Sequence, residues 1–226
     1  MATQAIVITT EKVLQAFIAF STNLSCIPVV WHCIKRGSAY EGIIGIACAV
    51  SSMMYHVGEV FENTWWFKLS GMTSGQWHRL DNIFTILTFQ ALTFFLMDIQ
   101  NQQVADALRW TFLVFTLYCQ ERAPWEIIFT VIPIVSTLVL LIIRHVLKQK
   151  VPEWIKTKHF LYGIGFFFVA AFFFVRGLDD DNDYLRINHG IWHFFIGVAF
   201  YFIFLSKEKL NEKNLLHVRY INLKYK

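Results

Sequence analysis

Along the chain, apolar positions gather into long runs, and the charged residues are pushed into the gaps between them. Stretches free of Asp, Glu, Lys and Arg run from Val13 to Ile34, Gly42 to Gly58, Asn82 to Met97, Trp110 to Gln120, Ile127 to Ile143, His159 to Val175 and Ile187 to Ser206. Most approach the roughly 20 residues that carry an α-helix across the hydrocarbon of a bilayer. A segment in hydrocarbon must satisfy its own backbone, so each run predicts a helix. The pattern therefore predicts an all-α membrane protein built as a seven-transmembrane helix bundle. The weakest run, Trp110 to Gln120, spans only if its helix begins nearer Val104 and keeps Asp106 and Arg109 at the interface. The alternative is six spans with an interfacial fourth segment, which would put both termini on one side. Pro28 and Pro133 lie inside the first and fifth runs, where each removes a backbone donor and predicts a kink. The longest connection, Glu59 to Leu80, carries Trp65, Trp66 and Trp77 and is expected to lie along the membrane surface.

Composition agrees with the pattern, and charge orients it. The 226 residues are 56% hydrophobic and only 16% charged, too apolar for an ordinary soluble domain of this size. With seven spans, 14 of the 20 Lys and Arg fall on one side: Lys35, Arg36, Arg109, a group from Arg144 to Lys158, and the tail from Lys207 to Lys226. The bias toward basic cytosolic loops then puts the C-terminus in the cytosol and the N-terminus outside or in a lumen, in the plasma membrane or the ER/Golgi. Two regions follow, a membrane domain over residues 1–206 and a basic cytosolic tail over 207–226, whose interleaved Leu and Ile residues also suit an anionic leaflet. The net charge of +4 reflects topology, and nucleic acid is not an expected partner. Met1 to Thr10 lacks a basic n-region, so the first run is expected to be a helix rather than a cleaved signal. Cys26, Cys33, Cys48 and Cys119 show no C-x-x-C spacing and are read as buried thiols.

Against this apolar background a few ionisable residues stand out. His189 and His193 are spaced H-x-x-x-H, which on a helix places both imidazoles on one face about a turn apart. Span two runs outward, so Ser52 and His56 lie in its outer half; span three begins outside at Asp81, and span seven begins outside at His189. The orientation rests on Lys and Arg alone, yet it brings all five residues to one depth. Ionisable groups at membrane depth are costly and need partners. Three histidines are one of the standard ligand sets of catalytic zinc, which leaves a fourth position open. His56, His189 and His193 are the expected ligands, with Asp81 beside the water and Ser52, on the His56 face, placed to donate a hydrogen bond. Ser51 points about 100° away and ranks behind it. A metal-free hydrogen-bonded cluster tying the helices together is the bland alternative.

Other polar features carry less. His32, His78, His145, His159 and His217 lie near span ends, His78 closest to Asp81. The run Asp179, Asp180, Asp181, Asp183 is expected to be a solvated loop; it lacks the Gly and distal Glu of an EF-hand, and calcium stays an open question there. No G-x-S-x-G, Walker, H-E-x-x-H or zinc-finger pattern occurs in the sequence.

S-x-x-x-H at Ser52 and His56, the Asp in Leu80-Asp81-Asn82 and H-x-x-x-H at His189 and His193 together resemble the motifs of the CREST superfamily. This grouping takes in alkaline ceramidases, adiponectin-type receptors, GPI-remodelling proteins and the transmembrane protein 8/myomaker family. Tyr55-His56, Asp183-Tyr184 and the string from His189 to His193 look most like the last of these. The resemblance implies a seven-helix bundle with zinc on the three histidines and Ser52 and Asp81 beside the metal water. It also implies a membrane lipid as substrate or ligand. The tail lacks the cysteines of myomaker, and the chain lacks both the large N-terminal domain of the GPI-acting members and the acidic Trp-containing start of ceramidases. The leading expectation is thus a zinc-dependent hydrolase of a lipid ester or amide. The alternatives are a non-enzymatic remodelling or fusion protein with structural zinc, and a lipid receptor. Oligomeric state stays open.

Overall fold

The computed structural model describes residues 9–148, 155–179 and 182–207. Within them the chain forms nine helices: α1 (Thr10–Asn23), α2 (Cys26–Arg36), α3 (Ala39–Phe61), α4 (Trp65–Lys68), α5 (Ser74–Met97), α6 (Gln102–Arg122), α7 (Ile127–Lys148), α8 (Thr157–Arg176) and α9 (Ile187–Leu205). Among the described residues the only β pairing is an isolated bridge between Ile155 and Lys207.

The first apolar run is one span in two pieces. Pro28 has no N–H to give the Leu24 carbonyl, and the helix breaks at Leu24 and Ser25, where Ile27 N bonds Leu24 O at 3.0 Å instead. Pro133 by contrast is accommodated inside α7 without ending it.

Among the described residues six segments are long and apolar enough to cross a membrane: α1 with α2, and α3, α5, α7, α8 and α9. The most apolar of them, α7, buries only 11% of its most apolar stretch. Phe17, Ile43, Ile142, Val146, Phe168 and Val175 are all at least 60% exposed on helix surfaces. Such a surface is stable in lipid and not in water. The protein is an all-α, multi-pass membrane protein.

Helix α6 is not among the six, although its 21 residues reach about 30 Å. Its polarity points inward. Thr116 and Gln120 are fully buried, where Gln90 Nε2 donates to Thr116 Oγ1 at 3.0 Å and Gln120 Nε2 to Thr130 Oγ1 at 3.3 Å. Trp110 and Val114 face outward. One end of α6 meets the start of α5, through Arg79 with Glu121 and Asn82 Nδ2 with Pro124 O at 2.8 Å. The far end of α5 meets the end of α7, where Arg144 bonds the carbonyls of Met97 and Asp98. Between them α6 runs the full height of its neighbours.

The connection between α3 and α5 is shorter than the expected Glu59 to Leu80, because both helices run past the charged residues used to bound them. The Thr73 hydroxyl accepts from Gln76 N at 3.2 Å while Gln76 Oε1 accepts from Thr73 N at 2.8 Å, a capping box that starts α5 at Ser74. Trp77 is therefore inside a helix, and Asp81 lies two turns into α5 rather than at its first residue.

The interior is aromatic and aliphatic, with Leu92, Phe95 and Leu96 of α5 against Ile196, Phe200 and Phe204 of α9 and Val29 and Cys33 of α2. At the end holding Arg36 and Met97, Lys207 pairs with Asp98 at 2.7 Å and its Nζ donates to Phe95 O at 3.1 Å. The rest of the tail, 208–226, lies outside the described residues.

Candidate metal centre

Helices α3 and α9 bring the three histidines together at one end of the bundle. His56 is five residues from the end of α3, and His189 and His193 occupy the first two turns of α9. Two close approaches make room for them. A Cβ on Gly177, the C-cap of α8, would lie 2.9 Å from His189 N, and one on Gly197 would overlap Ser25. Ser25, at the break between α1 and α2, donates to the His193 carbonyl at 2.9 Å.

The ring nitrogens converge. His56 Nε2 is 3.2 Å from His193 Nε2 and 3.2 Å from His189 Nε2, and the three ligand atoms lie within 4.8 Å of one another. Two contacts on one nitrogen cannot both be good hydrogen bonds, because an imidazole nitrogen offers a single in-plane lone pair or a single N–H. Ligand nitrogens about 2.0–2.1 Å from a tetrahedral ion sit roughly 3.3–3.4 Å apart. The two separations from His56 fit that geometry, and the cluster could hold a metal ion.

Asp81 and Ser52 stand beside it, lining the same cavity as His189 and His193. The Asp81 carboxylate accepts from Thr85 Oγ1 at 3.5 Å. Ser51 is buried and turned into its own helix, donating to Ala47 O at 2.8 Å. His78 stays out of the cluster. Its ring stacks on Trp125 at 3.9 Å and meets Tyr55 at 4.6 Å.

The cavity has a volume of about 440 Å³. It runs from Asp81 and His193 past Cys48 and Phe200 to Glu41 and Phe204 near the other end of the bundle. Its walls are mainly apolar, and α7 and α8 both contribute to them. Helix α7 packs on α5 and α6 while α8 packs on α9, so these two wall helices belong to different packing groups.

A family model described as "Protein of unknown function (DUF3522)" matches residues 11–194. The chain belongs to that family. The DUF3522 match takes in Ser52, His56 and Asp81 and stops one residue past His193. None of the curated proteins compared with the chain matches it.

In this DUF3522 member three further residues complete the site, and the sequence pattern alone does not single them out. Asn23, 3% exposed, donates from Nδ2 to Ser52 Oγ at 3.2 Å. Its sequence signal was a polar residue at membrane depth inside the first run. Glu59 Oε2 lies 2.7 Å from His56 Nδ1. Asp183 is not the solvated acid expected of its loop but is 3% exposed, accepting from Asn188 N and His189 N at 2.9 Å each. Its carboxylate thereby satisfies backbone donors at the start of α9. Asp180 and Asp181 lie outside the described residues.

Proposed function

We propose that the protein is a seven-span, zinc-dependent lipid hydrolase that cleaves an acyl ester or amide, with its site in the outer or lumenal half of the membrane. The carrying observation is the convergence of three imidazoles, His56 Nε2 lying 3.2 Å from both His189 Nε2 and His193 Nε2, with His189, His193, Asp81 and Ser52 on the wall of an elongated apolar cavity. Zinc on three imidazoles supplies Lewis acidity and lowers the pKa of a water toward about 7. Asp81 is placed to hold that water and take its proton. Ser52, whose Oγ accepts from Asn23 and so leaves its O–H as a donor, is placed to donate to the oxyanion that forms at the carbonyl. The apolar cavity takes the acyl chain, which enters from the bilayer between α7 and α8. The height of α6 supports the seventh crossing, and the resemblance to the CREST superfamily supports the chemistry.

The test is to purify the protein, measure bound zinc, and assay hydrolysis of acyl lipids with the Asp81→Asn variant beside it. One zinc per chain and a drop of at least 100-fold in rate for the variant are expected. Metal-free protein that stays folded and active, or unchanged hydrolysis in Asp81→Asn, would sink the reading. A structural, non-enzymatic zinc in a remodelling protein is favoured by one observation, that the cluster bridges α3 and α9, which otherwise pack mainly on other helices. Under that reading Ser52→Ala and Asp81→Asn leave function intact, and loss of a histidine unfolds the protein.

A further inference from the structure

Glu59 follows His56 by three residues in α3, so the two side chains share a face and meet without help from the rest of the fold. Both of its oxygens are used. Oε2 lies 2.7 Å from His56 Nδ1, while Oε1 accepts from the Tyr55 hydroxyl at 3.0 Å and faces Arg186 Nη2 at 3.5 Å. A neutral imidazole carries one N–H. A carboxylate at Nδ1 draws that proton to it and leaves the Nε2 lone pair aimed into the cluster.

Arg186 gives this contact a second role. It is the N-cap of α9, three residues before His189, and takes up φ 57°, a left-handed conformation uncommon outside Gly and Asn. Its own N–H donates to Asp183 O at 2.7 Å. A residue held in such a conformation is fixed by its surroundings, here Asp183 behind and Glu59 in front. Glu59 therefore touches the ligand on α3 and the cap of the helix that carries the other two.

We propose that Glu59 is the positioning residue of the metal centre: its carboxylate fixes the tautomer and ring of His56 and, through Arg186, fastens the start of α9 to α3. This rests on the reading of the three histidines as a metal site. A carboxylate behind a metal-bound histidine raises ligand basicity and holds the ring, and losing one weakens metal binding about 10- to 100-fold.

Full-length protein in detergent, with zinc affinity measured against a competing chelator dye and cobalt(II) loaded as a spectroscopic probe, decides the matter. Glu59→Ala is expected to weaken zinc binding 10- to 100-fold and to alter the cobalt visible band, while the protein stays monodisperse. Glu59→Gln, whose amide oxygen still accepts from Nδ1, is expected to lose less, which a merely structural role does not predict. If Glu59→Ala fails to fold, the near-isosteric Gln variant decides, and a several-fold weakening is expected of it. Affinity within twofold of the unaltered protein in the folded variants overturns the proposal. Unaltered protein that takes up neither zinc nor cobalt overturns the metal-site reading itself, and this proposal with it.

Discussion

At the scale of single residues, each histidine is held by a polar group that a sequence cannot assign to it. Asp183 shows how. Its buried carboxylate accepts from the backbone N–H groups of Asn188 and His189 and from Asn188 Nδ2 at 3.1 Å, so it fixes the turn from which His189 projects. Hydrogen bonds to a charged acceptor contribute about 1.5–3 kcal/mol each, and leaving those N–H groups unpaired adds a desolvation cost. Asp183→Ala is therefore expected to destabilise the protein by about 2–4 kcal/mol, seen as an earlier thermal transition in detergent, and to lower zinc occupancy through His189. That the three histidines meet was legible in the sequence, because ionisable groups in apolar spans need partners and helical spacing pairs His189 with His193. Asp183 and Glu59 were not. A carboxylate near the end of a span reads the same whether it is solvated, caps a helix or backs a histidine, and only the fold distinguishes these.

Among the helices, the decisive contact is that of α8 with α9, where Gly177 allows a backbone approach that no side chain permits. A Cβ there would lie 2.9 Å from His189 N and 3.0 Å from its Cα, and backbone atoms do not move aside cheaply. Overpacking of this kind costs about 1–3 kcal/mol. Gly177→Ala is expected to lower both the melting temperature and the zinc affinity. Gly165→Ala on the same helix, with nothing within 4 Å of its Cβ, should be neutral or stabilising by about 0.5–1 kcal/mol. Equal effects from the two would show that the approach does not position the site. Element boundaries were only partly legible. Pro28 foretold the break at Leu24, but charged residues placed the end of α3 too early and the start of α5 too late. Those helices continue through Glu59 and back to Ser74, since a capping box and polar side chains at the interface extend them beyond the apolar run.

Over the whole molecule, the apolar surface and the buried polar pairs describe a bundle built for lipid. Within that bundle α6 decides the topology. Its Asp106 and Arg109 lie at the end where Arg109 pairs with Glu41 at 3.2 Å, and its other end lies beside the start of α5. A helix of that height with Thr116 and Gln120 turned inward loses its hydropathy signal because its polar groups bond to α5 and α7 rather than to water. If α6 is the proposed seventh span, its two flanking connections fall on opposite faces of the membrane, and the excess of basic residues predicts that the one before it is cytosolic. Single cysteines at exposed Gln100 and Glu126 report on those connections, since Cys33 and Cys119 are buried and Cys26 and Cys48 are partly buried within spans, away from an aqueous, membrane-impermeant maleimide. In intact cells carrying the protein at the surface, Glu126→Cys is expected to react and Gln100→Cys to react only after the membrane is opened. Sealed microsomes give the same order if the protein stays in the ER. Labelling of both positions from one side would make α6 interfacial, return the chain to six spans and place the N- and C-termini together.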